Sequence, residues 1–231
     1  MVSVIIVAAG NSTRMGGVNK QLEKIADTPV FIMSALRFNK LDKVGEIIIV
    51  APEDEKTRYE KFAMNFGISK LTAIVAGGDT RFKSVKNALE AVSPKADYIA
   101  IHDGARPLIE SEDIERILAD AEKYNAAIAA VPATDTVKIV ASNGFVESTV
   151  PREKLYYAQT PQVFQKKLYL SCLEKIGCQA EQVTDDSSIL ELAGEYVKVT
   201  EVKSTNLKIT HPDDLIAAQA IHDNRHTVKI I

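Results

Sequence analysis

Small residues and cations meet in IIVAAGNSTRMGGVNKQ, residues 5–21. An apolar run ends at Ala8-Ala9-Gly10, and Asn11, Ser12, Arg14 and Lys20 follow. Residues with little or no side chain let a ligand approach the backbone, and the amides of a turn after a strand can point at an anion. Arg14 adds a bidentate donor and Lys20 a mobile point charge. Two familiar phosphate loops do not fit. A P-loop needs Gly-Lys after four intervening residues, where Met15 stands; the dinucleotide fingerprint needs glycine where Ser12 and Met15 stand. A tight strand-to-helix turn with solvated cations has the same local pattern, so this loop alone decides nothing.

Further segments change the weighting. GGDTRFKSVKNAL (77–89), HDGARP (102–107) and TDTVK (134–138) each follow a strand-like run. TPQVF (160–164), TDDSSILE (184–191) and NLKITHPDDL (206–215) come later. Successive strand ends bearing Gly, Asp, Ser and Arg suggest one composite site. Asp103 can coordinate a divalent cation or fix its own loop by pairing with Arg106. Asp185 and Asp186 resemble a metal pair, but acids also suit a helix start, with Thr184 as the cap. His102 reads as a packed histidine, and His211, His222 and His226 lack metal-ligand company. The acids of APEDE (51–55) open a helix in solvent.

The elements that position these residues alternate. Near-continuous apolar runs at 4–7, 47–50, 71–75, 98–101 and 127–131 suit parallel strands covered on both faces. Helices fit between them: one capped by Thr28 with Pro29 in its first turn, one from near Glu53 to Gly67, one over 82–92, and one capped by Ser111. The expected fold is α/β, a doubly wound, mostly parallel, Rossmann-like sheet in a single domain over 1–231. The alternation breaks after Val131. Strands at 136–140 and 145–150 flank Asn143-Gly144, a hairpin signal, and predict a projecting β-arm at about 134–156, or else an edge addition to the main sheet. A helix near 164–176, a short helix capped by Thr184, strands near 196–202 and 207–209, and a helix from about Pro212 complete the chain.

Composition narrows the function classes. A net charge of −3 over 231 residues argues against a broadly basic nucleic-acid binder, while leaving room for a small cationic pocket. No apolar run is long enough to span a membrane, and the first residues read as a strand and not as a leader, so a cytoplasmic protein is expected. Cys172 and Cys178 match no zinc or redox spacing and read as reduced core thiols.

With these segments in this order, the chain from Val4 to about Ala220 resembles the 2-C-methyl-D-erythritol 4-phosphate cytidylyltransferases. The resemblance implies a homodimer of the nucleotide-diphosphate-sugar transferase fold, using Mg²⁺ to join CTP and methylerythritol 4-phosphate with release of pyrophosphate. It implies that Arg14 and Lys20 stabilise the transition state on the triphosphate. It also implies that Ala8, Ala9, Gly10, Asn11, Ser12, Gly77, Gly78, Asp79, Ser84 and Asp103 hold the nucleotide, and that Arg106, in the strand-end loop of Asp103, helps position the substrate. Thr136, Arg152 and Lys208 would hold the second substrate, Thr136 and Arg152 from an arm that crosses to the neighbouring subunit. The usual Pro-Lys-Gln reads Asn19-Lys20-Gln21 here. Ribitol 5-phosphate cytidylyltransferases share this architecture and are the nearest alternative; a non-catalytic nucleotide-binding protein is the alternative of another class. A nicotinamide-dependent oxidoreductase is disfavoured by the failed fingerprint.

Overall fold

The computed structural model describes residues 1–10, 17 and 19–227. In chain order, β1 (Val2–Val7) leads to two short strands, β2 (Lys24–Ile25) and β3 (Thr28–Pro29), and to α1 (Val30–Asn39). β4 (Val44–Ala51), α2 (Lys56–Asn65), β5 (Leu71–Ala76), α3 (Arg81–Leu89), β6 (Tyr98–Asp103), α4 (Ser111–Tyr124) and β7 (Ala126–Pro132) follow. The hairpin β8 (Val137–Val140) and β9 (Val146–Val150) precedes β10 (Tyr156–Gln165), α5 (Lys166–Ile176), α6 (Ser187–Leu192), β11 (Lys198–Glu201) and α7 (Pro212–Thr227).

Seven strands form one sheet in the order β11-β7-β10-β6-β1-β4-β5. Its ladders are parallel except those of β10, which runs antiparallel to both β6 and β7. The mostly parallel sheet is therefore as expected. Strand side chains alternate between two cores. Val4, Ile6, Ile47 and Ile49 pack with Phe31 and Phe38 of α1, Tyr59 of α2 and Ile117 of α4. Ile5, Ile48 and Val50 pack on the other face with Val85 of α3, Tyr169 of α5 and Ile189 of α6. Each fully buried Ile or Phe contributes roughly 1.5–3 kcal/mol, so the sheet that carries the strand ends is rigid. A smaller cluster of Ile25, Val30, Leu108, Ile209 and Ala218 seats α7.

Several local expectations are corrected. Thr28 and Pro29 form a short strand, and α1 begins at Val30 without a side-chain cap. Glu110, not Ser111, precedes α4; its carboxylate pairs with Lys203 and Arg225 and caps nothing. Before α6 it is Asp185, not Thr184, that accepts from the Ser188 amide, at 3.1 Å. No strand forms at 207–209, where the Ile209 amide donates to the Ala105 carbonyl. The helix expected from 164 begins at Lys166, because residues up to Gln165 belong to β10. That strand went unseen because Pro161 sits in its middle, and proline normally argues against an internal strand. The β7 ladder is interrupted there, between Ala158 and Gln162. Cys178 is exposed, so only Cys172 is a core thiol.

β8 and β9 form a two-stranded sheet of their own, outside the seven-stranded ladder. Gly144 takes a positive φ of 86°, and Asn143 Oδ1 accepts from the Phe145 amide at 3.2 Å. The hairpin expected from the Asn-Gly pair forms, but Asn143 does not share the positive φ of a two-residue turn; the Gly144 amide donates to the Ala141 carbonyl at 2.9 Å, and the Ala141 amide to the Phe145 carbonyl at 2.9 Å.

Candidate active site

The strand order reverses at β1. The chain moves outward from β1 through β4 to β5, then returns to β6 on the other side. Ligands in open α/β sheets bind beyond the carboxyl ends of the strands at such a point. A cavity of about 210 Å³ lies there. It is lined by Val7, Ala9 and Gly10 after β1, by Lys20 and Gln21, by Gly78, Asp79, Thr80, Arg81 and Ser84 after β5, by Asp103 and Ala105 after β6, and by Lys208.

Small residues let three strand ends converge. A Cβ on Gly77 would run into Ala9 Cβ, and one on Gly104 would stand 2.8 Å from Gln21 Oε1 and 3.1 Å from Ala8 Cβ. Among the described residues, nothing lies within 4 Å of a Cβ built on Gly10. The turn before α3 is tied internally: Ser84 Oγ accepts from the Gly78 amide at 3.0 Å and donates to the Thr80 carbonyl at 2.9 Å. Thr80 caps α3, its hydroxyl accepting from the Lys83 amide at 3.1 Å.

Asp103 is the electrostatic centre. Its carboxylate lies 2.7 Å from Lys208 Nζ, 3.4 Å from Arg81 Nε and 3.7 Å from Arg106 Nε. Burial opposes its charge, but Arg81, Lys208 and Arg106 outweigh burial and hold its pKa well below the usual carboxylate range. Arg81 reaches a second buried carboxylate, Asp186, at 2.6 Å. Burial works against the Arg81 charge, yet the two carboxylates raise its pKa. Behind the cluster, His102 Nε2 lies 3.1 Å from the Arg106 carbonyl, which can only accept, so Nε2 carries the proton. Thr160 then donates to Nδ1 at 3.1 Å and accepts from the Asp103 amide at 2.9 Å. This neutral chain fixes the Asp103 backbone.

The structure brings Ala8, Ala9, Gly10, Lys20, Gly77, Gly78, Asp79, Ser84, Asp103 and Lys208 to one region. Asp79 stands at its exposed rim, paired with Lys83 at 3.2 Å. Arg106 is buried and donates to the Asn206 carbonyl at 2.9 Å, so it braces the cavity wall without lining it. Thr136 and Arg152 do not line the cavity; both are exposed near the hairpin, where Arg152 donates to the Thr134 carbonyl at 3.0 Å. Asn11, Ser12 and Arg14 lie outside the described residues. Arg81, Asp186 and Gln21 were missed as site residues. The first two stand inside segments singled out from the sequence, but nothing in one dimension pairs position 81 with both 103 and 186. Gln21 is buried, and its Oε1 has no hydrogen-bond partner among the described residues. Among those residues no group of three or more His, Cys, Asp or Glu side chains is placed to hold a metal ion. No helix among them is long and apolar enough to cross a membrane.

The 2-C-methyl-D-erythritol 4-phosphate cytidylyltransferase family model matches residues 2–224. The chain belongs to this family. A protein of that name from Clostridium botulinum (strain Loch Maree / Type A3) is 39% identical over 220 residues, covering 95% of this chain and 96% of its own length. One from Alkaliphilus oremlandii is 41% identical over 225 residues, covering 96% and 95%. The crystal structure of 4-diphosphocytidyl-2C-methyl-D-erythritol synthase from Anaerococcus prevotii superposes with a TM-score of 0.86 at 30% identity, covering 96% of each chain. The Thermus thermophilus 2-C-methyl-D-erythritol 4-phosphate cytidylyltransferase gives 0.76 at 26%, covering 95% of this chain and 97% of that one. Family membership bears out the expected nucleotidyltransferase activity in isoprenoid biosynthesis and the expected fold. It does not favour the ribitol 5-phosphate alternative.

Proposed function

We propose that the protein transfers the cytidylyl group of CTP to the phosphate of 2-C-methyl-D-erythritol 4-phosphate at the cavity beyond β1 and β6, releasing pyrophosphate. The observation that carries this reading is the convergence of Lys20, Lys208 and Arg81 on a cavity floored by alanine and glycine. A phosphate oxygen of the acceptor attacks the α-phosphorus of CTP in line, and pyrophosphate leaves. The nucleophile is already anionic at neutral pH, so the site needs no strong general base. His102 is not one: it is fully buried, neutral and engaged at both nitrogens.

The difficulty is the repulsion between two polyanions and the charge that gathers at phosphorus. Preorganised cations address both. Lys20 lines the cavity and is assigned to the triphosphate, a role the family resemblance gives to Arg14 as well. The nucleoside lies against Ala9, Gly10 and the turn that brings Gly78 and Ser84 to the cavity, with Ala8 and Gly77 packed behind them. Lys208 receives the acceptor phosphate and is held ready by Asp103. A Mg²⁺ arriving with the nucleotide would be held chiefly by substrate phosphates, and Asp103 and Asp79 are the cavity-lining carboxylates that would stand near it. Such a metal would neutralise phosphate charge.

The same reading makes the protein a cytoplasmic homodimer whose hairpin arm carries Thr136 and Arg152 to the partner's site. The arm's composition supports this, since Ile139, Val140, Phe145 and Val146 are all exposed on it, an apolar surface suited to a second copy. Pyrophosphate release from CTP and Mg²⁺, with methylerythritol 4-phosphate and ribitol 5-phosphate offered separately, tests the assignment. Strong preference for the first is expected; preference for the second would move the enzyme to polyol-phosphate metabolism.

A further inference from the structure

Tyr59 lies in α2, fully buried, with its ring centroid 4.4 Å from that of Phe31. Its hydroxyl is 3.3 Å from the Ala8 carbonyl oxygen and 3.4 Å from Asn19 Nδ2. The carbonyl can only accept and the amide nitrogen can only donate, so Tyr59 gives its proton to Ala8 and accepts from Asn19. Burial raises the phenol's pKa above its ordinary value, which keeps that proton in place. Asn19 Nδ2 also donates to Glu55 Oε2 at 3.1 Å, and its Oδ1 accepts from the Gln21 amide at 3.1 Å. The Leu22 amide donates to the Asn19 carbonyl at 3.0 Å, closing the turn. Both side-chain donor hydrogens and the acceptor oxygen of Asn19 are therefore engaged.

The consequence falls on Lys20. It sits between Asn19 and Gln21, two residues joined by the Asn19 side chain, and it lines the cavity. Through one phenol, Ala8 at the end of β1 is tied to Asn19 next to Lys20. We propose that Asn19 and Tyr59 are positioning residues for the transfer reaction: their hydrogen-bonded chain, anchored by Glu55 on the far side, sets the Lys20 backbone against the nucleotide-binding turn. The inference rests on the reading of Lys20 as a cation acting on the triphosphate. A flexible lysine is only as well aimed as the backbone that carries it, and small misplacement at a phosphoryl-type centre is expensive in rate.

Asn19→Asp keeps shape and acceptor but removes both donors and sets a carboxylate against Glu55. Tyr59→Phe removes the hydroxyl alone. Each is expected to lower kcat about 10- to 100-fold through misplacement of Lys20. KM for CTP is expected to stay within about twofold, which loosening of the whole nucleotide pocket would not allow. The double variant should lose no more than the worse single, because both residues act through one chain of bonds. Lys20→Ala is measured beside them. A dead Lys20→Ala with both single variants at wild-type kcat would overturn the positioning role and leave the role of Lys20 standing. Wild-type turnover in Lys20→Ala would instead overturn the reading on which the inference rests. If Tyr59→Phe fails to fold, Asn19→Asp, at a half-buried side chain, carries the test.

Discussion

Lys208 Nζ lies 2.7 Å from Asp103 Oδ2, and both residues line the cavity beyond β1 and β6. Asp103 is buried and surrounded by three cations, so removing its charge leaves those cations facing one another. Breaking a buried pair from one side costs about 3–5 kcal/mol. Asp103→Asn is therefore expected to lower the urea midpoint markedly, and a midpoint equal to wild type would contradict this arrangement. Lys208→Ala leaves Asp103 with Arg81 and Arg106 and should fold. Its KM for methylerythritol 4-phosphate is expected to rise about tenfold or more, the worth of one charge-assisted hydrogen bond. An unchanged KM would remove Lys208 from acceptor binding.

Lys20 and Arg14 answer to a different measurement. Loss of one preorganised donor at a developing charge typically costs ~10²–10³ in rate. Lys20→Ala and Arg14→Ala are each expected to lose at least that much in kcat with thermal unfolding unchanged. Near-normal turnover in either variant would take that residue out of the mechanism.

Arg152 stands away from the cavity in its own chain. If the arm acts on the partner's site, Arg152→Ala raises KM for the acceptor. Mixing it with inactive Arg14→Ala then restores some activity, because each hybrid dimer contains one intact site. Absence of recovery after verified subunit exchange would place the whole site in one chain.

His102 makes stability depend on pH. Burial lowers its pKa from 6.5 to about 4, against the pull of Asp103; Arg106 and Lys208 are the other charges facing it. The fold thus holds the imidazole neutral while the unfolded chain takes a proton below about 6.5. Stability is complete above that value, is lost as pH falls towards about 4, and loses nothing more to this residue below it. Between pH 7 and pH 5 the loss from His102 should be about 2 kcal/mol. Urea unfolding without metal, at both pH values, checks this in wild type and His102→Asn. Equal pH sensitivity in the two would show that His102 is not the source.

Much of this was legible in the sequence because it is local. Apolar runs announced the parallel strands, Asn143-Gly144 announced the hairpin, and small residues at strand ends announced the cavity. What stayed hidden depends on distant partners. β10 is a strand despite Pro161 because β6 and β7 flank it. Asp186 looked like a helix-start acid, and its partner Arg81 belongs to a helix on another part of the chain. Asn19 looked like a departure from a Pro-Lys-Gln pattern; its reason lies in Tyr59 and Glu55, which only folding brings near.

In the proposed reaction the acceptor's own phosphate oxygen attacks the α-phosphorus of CTP at this site. Methylerythritol 4-phosphate carrying heavy oxygen in its phosphate group tests it directly, with the products separated and weighed by mass spectrometry. All the label is expected to stay in the cytidylylated product, with none in the pyrophosphate. Label in the released pyrophosphate would contradict it.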